Sequence, residues 1–285
     1  MHPRHAVLLS LIAMVSIAMS AAGAAPLAIF HADSLAGPMR SLKTAFEARH
    51  PGTAITLVSG VSRDLAARIG KGEVCDVFAP SSPAVIEQDL IGKKIAGTET
   101  DAATWYVVFS ANEMVVIAAK GNPLGITQIA DLAKPDVKFM RVTGEKDLAT
   151  NRTIEFVMRA AAKEGKPALA QAIIDRAPAD PAKPMGVPDV VAAVREGRAN
   201  AGIVYYSAAV AARNDVAAVR FPPSVNMNEA IRNAATVPGT AKNPQEAVAF
   251  VAFLLSPEGQ SILQETGQPP VVPAIGHGMV PPEVR

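Results

Sequence analysis

Two serine turns near the start of the chain hold the residues best suited to chemistry. In Phe30-His31-Ala32-Asp33-Ser34-Leu35-Ala36-Gly37-Pro38, and again in Ser59-Gly60-Val61-Ser62-Arg63-Asp64-Leu65, an apolar run ends in small and hydroxyl residues, and a helical pattern follows at once. The first N–H groups of a helix have no partner inside it, so each turn gathers N–H donors and a neutral hydroxyl in one space. Two such turns side by side form a cage for an anion. Taken singly, Ser34 and Ser62 read as helix N-caps, a position Ser favours wherever a helix begins.

The surrounding pattern shows what must position them. Residues 27–30 form a short apolar strand, and residues 39–49 a helix with Met39, Leu42, Ala45 and Phe46 on one face. Pro51-Gly52 breaks that helix and residues 54–58 form the next strand. A helix opens at Ser62 and runs to Ile69, Lys71-Gly72 ends it, and residues 75–79 make a third strand. Strand, helix, strand, helix, strand is the signature of a parallel sheet, whose ligands gather at the carboxyl ends of the strands. Longer strands at 105–109 and 113–119, split by Ser110-Ala111-Asn112, mark a first crossing into a second domain. That domain holds helices at 126–133, 152–164, 168–175 and 190–196 and strands at 139–142 and 202–205. The chain then returns, with a strand at 216–221 and one amphipathic helix at 247–266.

Composition narrows the function classes. Residues 1–24 read as an export signal, with basic Arg4, an apolar run from Ala6 to Met19 and the small-residue site Ala22-Gly23-Ala24, so cleavage is expected after Ala24. An apolar run of about 14 residues is short of the roughly 20 that span a bilayer. The formal charge is +1, and loss of Arg4 brings it to zero, which gives no basic face for nucleic acid. The single cysteine, Cys75, sits on a strand and reads as a small buried hydrophobe. The five His and one Cys lack zinc-site spacing, no G-x-S-x-G elbow or P-loop occurs, and no cofactor is expected. A serine with His31 as base leaves a periplasmic hydrolase as the alternative from another class, although His31 reads first as a packing residue.

Taken in order, these segments resemble the periplasmic molybdate- and tungstate-binding proteins of ABC importers. Phe-His-Ala-Asp-Ser-Leu at 30–35 is similar to the family's F-H-A-G-S-L opening. Residues 62–69 followed by Asp76-Val77-Phe78-Ala79 are similar to its S-x-x-L-x-x-x-I and D-V/L-F-x. Trp105-Tyr106 with Asn112-Glu113-Met114-Val115 resembles a segment of the tungstate-type branch. Asp189-Val190-Val191-Ala192-Ala193 with Gly202-Ile203-Val204-Tyr205 resembles the bacterial molybdate branch. The resemblance spans residues 27–272. It implies a two-lobed α/β periplasmic-binding-protein fold, each lobe a central, mostly parallel sheet flanked by helices, with two hinge crossings. Lobe I is expected at 25–110 and 216–285, and lobe II at 111–215.

The same resemblance implies roles. Ser34 and Ser62 match the serines that bond oxyanion oxygens; Ala149 falls at a backbone N–H contact, Val190 at a helix-start N–H and Tyr205 at a phenol that closes the cage. A dianion held by neutral donors and helix ends offsets its desolvation through short charge-assisted bonds, and a fixed cage selects by oxyanion size. Three departures stand out. Asp33 replaces a small residue beside the first serine, and a carboxylate there repels a dianion unless it turns away. Residues 145–152 keep only Asp147 and Arg152 of the family loop. The tungstate branch pairs the acid at 147 with a Glu at the position of Tyr205, which this chain lacks, so hydrogen-bonded tetrahedral binding without direct metal coordination is expected. Asp147 reads as a helix cap or a partner of Arg152, and Arg152 as an anion contact or a salt bridge. The implied ligand is molybdate or tungstate, with sulfate or another small anion as the alternative, and the implied partner is an inner-membrane ABC permease. A periplasmic monomer is expected.

Overall fold

The computed structural model describes residues 26–145, 147–180 and 182–285; the expected export signal at 1–24 lies outside the described residues. The chain opens with β1 (Leu27–Ala32), α1 (Ala36–Arg49), β2 (Ile55–Gly60), α2 (Ser62–Gly70), β3 (Val77–Ala79) and α3 (Pro83–Asp89). β1 lies between β2 and β3 and runs parallel to both, with Ile29 level with Leu57 and Val77. Side chains alternate across a strand, and β1 is buried on both faces as a central parallel strand must be. Leu27 and Ile29 enter one apolar core with Met39, Leu42 and Phe46 of α1, while Phe30 enters another with Leu65 and Ile69 of α2.

β4 (Trp105–Ala111) then passes almost directly into β5 (Met114–Ala119). The following elements are β6 (Phe139–Arg141), α4 (Leu148–Lys163), α5 (Leu169–Asp175), α6 (Val187–Arg195), β7 (Ala201–Tyr205), α7 (Tyr206–Ala211), β8 (Val216–Val219) and α8 (Pro223–Asn226). They form a sheet of order β6-β7-β5-β8 around a separate core that draws residues from Met114 to Ile231. β9 (Arg232–Ala235) leads back to α9 (Pro244–Leu255), α10 (Pro257–Glu265) and β10 (Pro270–Gly278), with β4 central in an antiparallel β10-β4-β9 sheet.

The two-lobed α/β fold is as expected, and the differences are local. β6 and β7 are parallel, but β5 is antiparallel to both its neighbours, so the second sheet carries one parallel pairing. The strand at 216–219 was expected in the first lobe; it pairs with β5, because Val216 packs in the second core. The expected helix at 247–266 is two helices, since Pro257 begins α10 after the extended Ser256. Residues 129–133 form a 3-10 turn rather than the end of a longer helix. No helix among the described residues is long and apolar enough to cross a membrane.

Where the chain passes between the cores, polar side chains are buried and bonded to one another. Asn112 N donates to the Ile231 carbonyl at 3.3 Å, which ties the two crossings together. Asn112 Nδ2 donates to Ser207 Oγ at 2.9 Å, and Ser207 Oγ donates to the Ser34 carbonyl at 2.8 Å. Gln268 Nε2 reaches the same carbonyl at 3.1 Å, and Asn233 Nδ2 donates to Gln268 Oε1 at 2.7 Å and to Ser110 Oγ at 2.8 Å. The turn that carries Ser34 is thus fastened to the joint between the lobes.

Candidate functional site

The carboxyl ends of β1 and β2 meet the second lobe around a small cavity of about 10 Å³, on the order of one water-sized sphere. From the first lobe it is lined by Asp33, Ser34, Ser62 and Ser81, and from the second by Asp147, Val187 and Tyr205. Ser34 follows β1 in a 3-10 turn, Asp33–Leu35, and Ser62 is the first residue of α2. Both serines are about 5 % exposed or less. Ser34 Oγ has no hydrogen-bond partner, and Ser62 Oγ accepts one bond, from Ser81 N at 3.3 Å. A buried hydroxyl without a partner costs free energy, and Ser34 Oγ keeps its donor and acceptor capacity unused. Neither serine acts as the side-chain cap of its helix.

Tyr205 ends β7 fully buried, and burial raises its phenol pKa, with Arg152 opposing. Its oxygen accepts a bond from Arg152 Nη1 at 2.8 Å, and Arg152 Nη2 crosses to the Ser81 carbonyl in the first lobe at 2.9 Å. Arg152 therefore stands behind the phenol as a bridge between lobes and is not among the residues lining the small cavity. Arg152→Ala is expected to weaken ligand binding roughly tenfold by removing about 1.5 kcal/mol of closed-state stabilisation, while Arg152→Lys, without the guanidinium fork, recovers only part of it. Titration of the two variants beside the parent checks this.

Two expected contacts are corrected. The Ala149 N–H is taken by Asp147 Oδ1 at 2.9 Å, because Asp147 is the N-cap of α4. The Val190 N–H is bonded to the Gly186 carbonyl at 3.2 Å, because α6 begins at Val187, one turn earlier than the sequence reading placed it. Val187 lines the cavity in its place. Gly202 lets α6 sit that close to β7: a Cβ there would stand 2.6 Å from Val190 Cγ1. Ser81 was missed; the hydroxyl pair Ser81-Ser82, one proline beyond an apolar strand and just before a helix, resembles the two serine turns.

Asp33 is half-buried and accepts a bond from Ser59 Oγ, so it is held toward β2 while still lining the cavity. Burial raises the Asp147 carboxyl pKa and the nearby Asp33 adds to it; Ala149 N–H and Arg152 oppose. Beside the cavity the cleft widens to about 420 Å³ between Asp33, Val61, Asp64, Glu145, Asp147 and Met185. His31, which burial pushes to lower pKa, bonds the Ala32 carbonyl through Nδ1 at 2.9 Å. Neither Ser34 nor Ser62 is hydrogen-bonded to it, so these side chains form no nucleophile–base pair. Among the described residues no cluster of three or more His, Cys, Asp or Glu side chains is arranged to hold a metal ion.

Comparison with known proteins follows this geometry. The family model described as bacterial extracellular solute-binding protein matches residues 27–268. The molybdate-binding protein ModA of Mycobacterium tuberculosis is 28% identical, over 86% of this chain and 85% of that protein. The periplasmic molybdate-binding protein of Azotobacter vinelandii superposes with a TM-score of 0.66 at 16% identity, covering 87% of this chain and 99% of that one. The sulfate-binding protein SubI of Mycobacterium tuberculosis superposes with a TM-score of 0.64, also at 16% identity, covering 87% and 88%. At such identities the two structures speak for the fold alone.

Proposed function

The chain belongs to the bacterial extracellular solute-binding proteins, and from that premise we propose that it captures molybdate or tungstate between its lobes. The loaded protein then delivers the oxyanion to an inner-membrane ABC permease from the periplasm. The observation that carries this reading is the buried Ser34 hydroxyl without a partner, on a cavity lined also by Ser62, Tyr205 and the start of α6. The ModA relative gives independent support for the ligand.

Capture follows from where the donors sit. Ser34 and Ser62 approach from one lobe and Tyr205 and Val187 from the other, so only closure presents all of them to one ion. A charged ligand that satisfies donors of both lobes shifts the population toward the closed form by its extra affinity for that form. Parallel calorimetric titration with molybdate, tungstate and sulfate tests the proposal. Tight binding of the first two without sulfate is expected. Binding of sulfate alone overturns the molybdate or tungstate assignment and leaves another small anion as the ligand of the same cleft.

A further inference from the structure

Two carboxylates stand among the donors. Asp33 and Asp147 line both the small cavity and the wider cleft beside it. A fully deprotonated oxyanion presents acceptors only, and an ionised carboxylate can neither donate to it nor approach it without repulsion. Asp33 Oδ1 already accepts from Ser59 Oγ. Asp147 Oδ1 accepts from the Ala149 N–H, which leaves its other oxygen to meet a ligand.

The charged and titratable groups facing Asp147 come from every element around it. Among the described residues they are Asp33 from the turn after β1, Asp64 from α2 and Glu145 from its own loop, which line the same cleft, with Arg152 from α4 and Tyr205 from β7. Among the described residues, the cation acting on Asp147 is Arg152, and its guanidinium is engaged with Tyr205 and the Ser81 carbonyl.

Resting on the oxyanion reading above, we propose that the cleft recognises an oxyanion together with one proton, held between the second carboxyl oxygen of Asp147 and a ligand oxygen. With molybdate the proton is taken from solvent onto Asp147, whose O–H then donates to the anion. With a phosphate-like ligand the proton arrives on the ligand, and the ionised carboxylate accepts it. Either way the same single hydrogen bond closes the cage and no further reactant is needed. The burial that raises the Asp147 pKa works in this direction, as does the Asp33 charge beside it. Below the Asp147 pKa the neutral acid is already in place and molybdate affinity is flat. Above it, affinity falls about tenfold per pH unit, because the complex holds one proton more than the free protein.

The test is calorimetric titration of the protein with molybdate and, separately, with inorganic phosphate, in buffers of different ionisation enthalpy from about pH 5 to about pH 9. Uptake approaching one proton with molybdate is expected at the alkaline end, and none with phosphate where that ligand carries its own. Asp147→Asn keeps the α4 cap acceptor, so it folds; it should abolish the uptake and bind molybdate at least tenfold more tightly than the parent at the alkaline end. Asp33→Asn should retain proton uptake. Molybdate binding without uptake, or an unchanged slope in Asp147→Asn, or loss of uptake in Asp33→Asn instead, overturns the assignment to Asp147 alone. Silence toward both anions at every pH overturns the oxyanion reading and this inference with it.

Discussion

Replacing Ser34 and Ser62 together by alanine is expected to weaken oxyanion binding by about 3–6 kcal/mol, on the order of 10²- to 10⁴-fold, with little change in Tm. Each hydroxyl is expected to give a charged acceptor one bond, worth about 1.5–3 kcal/mol when the acceptor is ionised. The fold asks little of either. Ser34 Oγ bonds nothing in the protein, and Ser62 Oγ accepts only the Ser81 N–H. Isothermal titration beside a thermal melt separates the two effects. An unchanged affinity in a folded double variant would sink the site.

The second large effect concerns the joint. Asn233 is fully buried and its amide nitrogen serves both Gln268 Oε1 and Ser110 Oγ. Asn233→Leu keeps the volume roughly but strands both acceptors, at a cost of about 3 kcal/mol and a fall in Tm of roughly 6–12 °C. Because Gln268 also holds the Ser34 carbonyl, the same change should loosen ligand binding even though Asn233 is not among the residues lining the cavity. Differential scanning calorimetry reads the first effect and titration the second. A Tm within a degree or two of the parent would show that the network contributes little.

How much of this was legible in the sequence differs between the lobes. Around β1, β2 and β3 the alternation of apolar runs with helical faces follows directly from burial on both sides of a parallel sheet, and the serine turns fall where such a sheet ends. β10 left no such trace. Its run Pro-Val-Val-Pro-Ala-Ile-Gly-His-Gly is largely exposed and carries two prolines, and it is a strand because β4 pairs with it. β8 is short and its sequence does not say which lobe it joins; that is decided by β5, remote in the chain.

In the site, the misplaced contacts trace to helix starts. Pro188 sits in the first turn of α6, a position that tolerates a missing N–H, and it was the available sign that this helix begins before Val190. Asp147 as N-cap similarly removed Ala149 from the donors. Arg152 and Ser81 had no local signal to join them, since their bond spans 71 residues. It depends on how the lobes close.

That bond has a consequence for traffic. On the proposed role, a bridge made of protein groups alone favours the shut shape whether or not an ion is held, and that is the shape the proposed permease would take as a mark of delivery. Every such visit would occupy a docking place without bringing anything. If the chain carries the proposed ion, the strength of Arg152 against the Ser81 carbonyl sets a compromise: grip enough to retain it, yet weak enough that idle carriers do not crowd out full ones.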